Sequence, residues 1–575
     1  AQQGTISVRV VEAGSGKPVD QAQVFVAGTT IGGLTNAEGR VTLRGVPAGN
    51  QTIRVLRVGY AEHKSPLAVT AGEQSLDIEL SPVAVSLTPV VTTATGETRR
   101  VEVGNAIAAI DAAKTVEVQP IKTVDDLLTA RVASITVTTG TQTGSGSRIR
   151  IRGQNSLNLS NEPIFIIDGV RMTSQVSSSN LFTGGAQPSR VGDINPDEIE
   201  SIEIVKGPSA ASLYGTAAAN GVVVITTKKG RAGQARWNTY FEGGLLRDIN
   251  RYPTAFTIFG KRADGSTAPF NFCNLQRVGT GQCTIDSVAA LNIFEHDSLT
   301  PLDWGNRYQM GAQLSGGTEA IRYFLSADHE DEVGVLHLPD FERNRFKRDK
   351  IPIREWTDRP NAMVKSSFRV NLNSTVNPKL DLQASSAYIK VDQRFSLESN
   401  ATAGLGSQVF GGPGCLICDP PRVVGGGLGT PLYGYRAWTP GYTWQEKAAQ
   451  GVNRFIFSAN ANWRPTSWLQ NRLNVGNDFT DRVDDNLLFR GEGPPITATY
   501  RNGFKSETRS DIRNTTVDFG STATYNPRPW LSLKTTIGIQ YVNFVQATAV
   551  ASGTELPPGA QTPNAAVTRT ASEAT

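Results

Sequence analysis

From residue 236 onward the chain alternates between apolar and polar positions. In "RFIFSANANW" (454–463), Phe455, Phe457, Ala459, Ala461 and Trp463 share one face. Arg454, Ser458, Asn460 and Asn462 share the other, and Ile456 is the exception. In "TVDFGSTATY" (516–525), Val517, Phe519, Ala523 and Tyr525 oppose Asp518, Thr522 and Thr524. "FRVNLNSTV" (368–376) sets Phe368, Val370, Leu372 and Val376 against Arg369, Asn371 and Asn373. A period of two with one apolar and one polar face predicts strands wetted on one side only. The pattern predicts about nine of them: 236–245, 306–314, 321–333, 363–376, 380–392, 451–463, 469–480, 511–525 and 531–545.

The connections repeat as well. "TVNPKLDL", "NWRPTSWLQ" and "YNPRPWLSL" each place a proline just ahead of a Trp or Leu and then resume a strand, so they read as three copies of one hairpin. Long polar loops lie between hairpins at 246–305, 334–362, 393–450 and 483–510, and the tail 551–575 reads as one more. Short turns at one end, long loops at the other and aromatics at strand ends predict an antiparallel transmembrane β-barrel. Nine strands do not close one, and an open sheet edge cannot sit in lipid. The expectation is therefore the front part of a larger barrel.

Upstream the pattern differs. Residues 4–80 carry short strands at even spacing ("TISVRVVE", "AQVFVAG", "GRVTLRGV", "QTIRVLRV", "SLDIEL"), separated by Gly/Pro/Asn turns, which predicts a β-sandwich. Residues 81–100 are extended, Val/Thr-rich and end in charge, as a linker or a strand kept for another chain would be. Residues 101–230 mix strands with a short helix at "VDDLLTAR", with Thr123 as N-cap and Asp125 and Asp126 in its first turn. Asn220–Gly221 then turns the chain into the apolar strand "VVVITT". This part reads as a compact α+β unit.

Composition narrows the function. Only 39% of residues are hydrophobic and 57 are glycine, which favours turn-rich β-structure. A net charge of +4 with no basic run makes no case for nucleic acid. No run of 18 apolar residues offers a membrane helix. Of four cysteines, Cys273 and Cys283 lie ten apart in one loop, and Cys415 and Cys418 form a C-x-x-C in another. Two local pairs suit loop disulfides; a zinc site is the rival, weakened by the 132 residues between the pairs and by the lack of nearby histidines. "GSGKP" (14–18) lacks P-loop spacing, and "GPSAA" (207–211) is a degenerate G-x-S-x-G with its last residue wrong. The expectation is no enzyme, no catalytic residue, no metal and no cofactor.

"NPDEIESIEIVKGPSAASLYGTAAANGVVVITTKKG" (195–230) closely resembles the plug signature of TonB-dependent outer-membrane transporters of the SusC/RagA-like branch. "RIRIRGQNSLNLSNEPIFIIDGVRM" (148–172) resembles the preceding plug signature. The N-terminal module resembles the carboxypeptidase-regulatory-like domain often fused ahead of it. The resemblance implies a sandwich over 1–82, a TonB-box linker over 83–100, a plug over 101–232 and the first part of the barrel over 233–575.

It places the TonB box at Leu87, Thr88, Pro89, Val90, Val91, Thr92 and Thr93. A strand added to this segment makes a row of main-chain hydrogen bonds that can carry tension. Arg148, Arg150 and Arg152 are expected to latch the plug to the barrel wall through carboxylates. Outward loops are expected to meet substrate through Asn155, Asn158, Asn161, Asn180, Phe182, Tyr435 and Trp438. The implied function is TonB-dependent import of an oligosaccharide or peptide across the bacterial outer membrane. The N-terminal domain would lie in the periplasm and the long loops outside. Implied partners are TonB, a SusD-like surface lipoprotein, outer-membrane lipid and a second transporter–lipoprotein pair. The alternative is a surface binding or adhesion protein built from the same domains.

Overall fold

The structure is a computed structural model. It describes residues 3–81, 90–99 and 107–575, leaving out 14–15, 30, 58–59, 61–62, 94–95, 141, 159, 174–180, 182–187, 208–209, 211–213, 269–271, 398–402, 412–433, 437, 494–497 and 529. Two compact units are present, Ala1–Val90 with Arg99–Val101, and Val91–Thr98 with Glu102–Thr575.

The first unit has β1 (Gln3–Glu12), β2 (Gln23–Val26), β3 (Gly32–Leu34), β4 (Arg40–Pro47), β5 (Gly49–Leu56), β6 (His63–Val69) and β7 (Gly72–Leu80). They form two sheets, β4-β1-β7 and β3-β2-β5-β6. Alternation along β1 buries Ile6, Val8 and Val10, which meet Val24, Val26, Ile53 and Val55 of the other sheet, so the module is a β-sandwich. Thr35 is buried in a turn. Its hydroxyl accepts from Ala22 N–H at 2.8 Å and donates to Val19 O at 2.7 Å.

β8 (Val90–Thr93) pairs with β9 (Gly96–Arg99). The plug follows: β10 (Ile107–Asp111), β11 (Ile135–Thr138), β12 (Arg148–Ile151), β13 (Ile164–Ile167), β14 (Val170–Arg171), β15 (Ile199–Val205) and β16 (Val222–Thr227). Five of these form a sheet in the order β10-β15-β16-β13-β14, and β11 pairs with β12 as a separate ribbon. Helix α1 (Ala112–Val118) is capped by Asp111. Helix α2 (Val124–Leu128) starts at the Thr123 that the pattern predicts, in a reciprocal capping box with Asp126. The Asn220–Gly221 turn has Gly221 at φ +99°, a left-handed conformation that suits glycine.

The barrel part is one antiparallel sheet of ten strands: β17 (Gly233–Leu246), β20 (Gly305–Gly317), β21 (Ile321–Val333), β22 (Ala362–Asn377), β23 (Leu380–Arg394), β24 (Lys447–Thr466), β25 (Leu469–Leu488), β26 (Phe504–Arg528), β27 (Leu531–Thr554) and β28 (Thr568–Ala574). The missing numbers, β18 (Ala255–Arg262) and β19 (Cys283–Leu291), form a hairpin inside the first long loop. The expected nine or so strands are joined by a tenth, in the tail expected to be a loop. β28 reads "TRTASEA", with no apolar alternation, and is a strand because it pairs with Thr548–Thr554 of β27. β17 and β28 each have one neighbour, so the sheet is a partial barrel. Phe368, Leu372, Phe455, Phe457, Leu473 and Phe519 are exposed on its outer face, and Trp463, Trp468, Tyr525 and Trp530 stand near the short turns. No helix among the described residues is long and apolar enough to cross a membrane.

One apolar cluster joins plug and wall. Ile110, Leu127, Ile149, Phe165, Ile202, Ile204, Val223 and Ile225 of the plug pack with Met363, Ile389, Val391, Val452 and Ile456 of the barrel. The residue that breaks the alternation of "RFIFSANANW", Ile456, is therefore inward and buried against the plug.

Candidate functional site at the plug–wall interface

Around this apolar contact the wall turns buried polar side chains toward the plug. Arg454, on β24, is fully buried. Its Nε and Nη2 donate to Asp478 Oδ1 and Oδ2 of β25 at 2.8 and 2.7 Å. Its Nη1 donates to plug atoms, Arg190 O at 2.6 Å and Asp193 Oδ2 at 3.2 Å. Asp478 Oδ2 also accepts the plug's Thr173 N–H at 2.8 Å. Arg369, on β22, donates from Nε to Glu198 Oε2 at 2.7 Å, and its Nη1 stands 3.8 Å from Asp168 Oδ2. Glu198 Oε1 accepts from Ser326 Oγ at 2.6 Å. Charge-assisted, multiply satisfied contacts of this kind are the strong ones, and losing one partner leaves a buried charge unpaired.

Further contacts complete the seat. Lys122 Nζ pairs with Glu332 at 2.5 Å. Thr143 N–H donates to Asn361 Oδ1 at 2.8 Å, and Asn361 Nδ2 returns to Thr143 O at 3.0 Å. Asn371 Nδ2 donates to Thr227 Oγ1 and Lys228 O at 2.8 and 2.7 Å. The two surfaces pack tightly at Gly476 of β25, where a Cβ would run into Val170 Cγ2 of the plug. Two plug carboxyls are shifted. Burial pushes Asp125 up to about 6, partly offset by a hydrogen bond from Ser147. Burial, with Glu242 nearby, pushes Asp197 up to about 6.

The expected latch is corrected. Arg148 and Arg152 are exposed and Arg150 is half-buried. β12 turns Ile149 and Ile151 into the core. This leaves Arg148 and Arg150 beside Glu162, whose pKa burial raises and both arginines lower. Arg152 lies against Gly207, also in the plug. Two wall cations, Arg369 and Arg454, meet the plug carboxylates Asp168, Asp193 and Glu198, while the plug's Lys122 meets the wall carboxylate Glu332. Alternation marks both arginines as inward-facing. It does not mark their partners, 171 and 261 residues away in sequence.

Of the expected TonB box, Val90–Thr93 form β8; Leu87, Thr88 and Pro89 lie outside the described residues. Of the expected substrate residues, Asn180 and Phe182 also lie outside them. Asn161 Oδ1 accepts from the N–H of Asn155 and Ser156, and Asn155 Nδ2 donates to Asn220 Oδ1 at 3.2 Å, so these side chains tie the loop to the Asn220–Gly221 turn. Asn158 is exposed. Tyr435 is a correction: it is fully buried with Ile293, Leu299 and Val409, and its hydroxyl donates to Leu299 O at 2.9 Å. An aromatic in a long loop has its own core to fill. Trp438 is half-buried, its ring centroid 5.4 Å from that of Tyr500. Cys273 and Cys283 are disulfide-bonded with Cα atoms 5.6 Å apart; Cys415 and Cys418 lie outside the described residues. No cluster of metal-binding side chains occurs among the described residues.

A folded α+β unit ion-paired onto the polar face of a ten-stranded antiparallel sheet, whose other face is apolar, is the arrangement of part of a plugged β-barrel. Comparison with known proteins names the class. Residues 100–222 match the TonB-dependent Receptor Plug Domain, and residues 5–81 the Carboxypeptidase regulatory-like domain. The chain is 25% identical to TonB-dependent receptor SusC of Bacteroides thetaiotaomicron over 508 residues, 85% of this chain and 43% of that protein. It is 26% identical to TonB-dependent receptor P39 of Formosa agariphila over 334 residues, 57% of this chain and 29% of that protein. The fold superposes on the RagAB peptide importer in its "open-open" state with a TM-score of 0.56 at 18% identity, over 84% of this chain and 52% of that one. The chain thus spans less than half the length of these curated relatives. It is similar to the SusC/RagA-like TonB-dependent transporters in its plug, its N-terminal domain and its fold.

Proposed function

We propose that the protein imports an oligosaccharide or peptide across the bacterial outer membrane, driven by TonB through the segment 87–93. The observation that carries this reading is the seat of the plug. It is buried in the wall yet held by discrete ion pairs, Arg454–Asp193 and Arg369–Glu198, that a pull can break one at a time. Binding energy for such a pull comes from strand addition, for which β-prone "LTPVVTT" is suited. In this reading the short turns and the N-terminal sandwich face the periplasm, and the long loops face outward with a SusD-like lipoprotein over them. Pairs of transporter and lipoprotein assemble as dimers. The RagAB relative is an importer of peptides, and SusC a TonB-dependent receptor, which supports import without fixing the substrate.

The test is deletion of residues 87–96. Surface expression should be kept and uptake by cells should stop; a peptide of residues 85–100 should bind the C-terminal domain of TonB while a scrambled one does not. Continued uptake by the deleted protein would refute the handle.

A further inference from the structure

A cavity of about 280 Å³ lies between plug strand β16, the Asp168–Gly169 turn and wall strands β21–β25. At about 30 Å³ per molecule it has room for roughly nine waters. It sits toward the short turns, reaching Thr375 and Asp381 on either side of the 377–380 turn and Gln470 beside the 466–469 turn. It is therefore at the end opposite the long loops.

Its lining is made of amides and hydroxyls with unspent capacity. Asn371 Oδ1, Asn373 Oδ1, Asn460 Oδ1, Ser458 Oγ and Arg322 Nε are buried atoms without a hydrogen-bond partner, and all five residues line this cavity. More than about 90% of buried polar groups in proteins are satisfied, so unmet groups gathered around one space mark a place where something polar is held. Its two carboxylates already have cations: Asp381 is paired with Arg464, and Asp168 with Arg369 at 3.8 Å. Lys229 and Arg472 line it too; its unmet atoms are acceptor oxygens, one hydroxyl and one guanidinium N–H, the complement of a group that both donates and accepts. A sugar ring's hydroxyls do both.

We propose that this cavity is a second binding site, on the plug's short-turn side, for one hydroxyl-rich unit of the transported substrate. Its place on the import path rests on the function proposed above; its ability to hold a sugar does not. A unit leaving the loop end would find here a polar seat already open before the plug moves fully, and the ion pairs of Arg369 and Arg454 would stay closed above it.

The test places a thiol in the cavity. Gln383→Cys and Asn462→Cys are made separately, because both residues line it and neither belongs to the ion pairs of the plug seat. Each full-length transporter in detergent is treated with a glucosyl methanethiosulfonate, and labelling is followed by mass spectrometry against the parent chain. Both thiols should label. Glucose should slow labelling about threefold, the factor 1 + [L]/Kd at twice Kd. Trimethylamine N-oxide at equal osmolality, which has no hydroxyl donors, should not. A folded variant that does not label, or labelling that glucose leaves unchanged, overturns the proposal. Protection by glucose together with TonB-independent uptake would keep the site and reject the TonB-driven reading.

Discussion

Arg454 grips both carboxylate oxygens of Asp478, at 2.8 and 2.7 Å, and with its third nitrogen holds Asp193 of the plug at 3.2 Å. The first pair joins neighbouring wall strands; the second crosses to the plug. The wall thus pre-aims its cation, and the plug docks onto a charge already oriented.

That arrangement makes Arg454→Leu costly. It strands Asp478 and Asp193 in a buried site, and removing one partner of such a pair costs about 3–5 kcal/mol. The urea midpoint for plug unfolding should fall accordingly. Asp193→Asn alone should cost less, since Arg454 keeps Asp478. A double-mutant cycle between Arg454 and Asp193 should show coupling of about 0.5–3 kcal/mol. Coupling near zero would mean that the plug does not depend on this pair.

Asp125 makes plug stability depend on pH. Its carboxyl is raised from 3.8 to about 6, so the folded plug binds this proton more tightly than the unfolded chain. Stability from this group is highest below pH ~3.8, falls as pH rises toward ~6 and stays low above it, by about 3 kcal/mol. Asp125→Asn should match the parent near pH ~4 and exceed it near pH ~7.5 in plug-unfolding midpoint. Equal midpoints at both pH values would show that Asp125 is ionised freely in the folded plug.

Ile456 and Phe455 are neighbours on opposite faces of β24, with 4% and 45% exposure. Ile456→Ala opens a hole in the plug–wall core and should cost about 2–5 kcal/mol in plug unfolding. Phe455→Ala faces outward and should leave that midpoint unchanged. Equal effects would place the plug elsewhere.

Gly476→Val should keep the plug from seating, because the added side chain meets Val170. The barrel strands should still insert, and the plug should become a protease target. A plug as protected as the parent's would show that Val170 yields.

Reduction, or Cys273→Ser, should open the β18–β19 hairpin locally. Trypsin should then cut at Arg277 or Lys261, residues of the disulfide-closed loop and of β18. The ten-stranded sheet should be untouched by the same treatment, as seen by its heat-modified mobility on gels.

The sandwich, the barrel strands and the capped helix α2 were legible because each is set by local pattern. Alternation orients a strand, and Thr123 with Asp126 closes a helix start within four residues. The tenth strand was not legible, since "TRTASEA" pairs by position and not by pattern. Tyr435 was misread for the same reason: nothing near it in sequence shows that Leu299 and Val409 close over it. For the latch, the pattern marked inward arginines on both plug and wall, and chose the wrong set.

By itself the sequence determined which face of each strand is polar, where chains turn, and which family the plug motif resembles, because these depend on neighbours a few residues apart. Only the tertiary structure decided that Arg369 and Arg454 meet Glu198, Asp168 and Asp193, that Ile456 belongs to the plug's core, and that an amide-lined cavity stays open beneath them. Those outcomes depend on how two surfaces far apart in the chain fit together, and complementarity between surfaces is not encoded in the periodicity of either one.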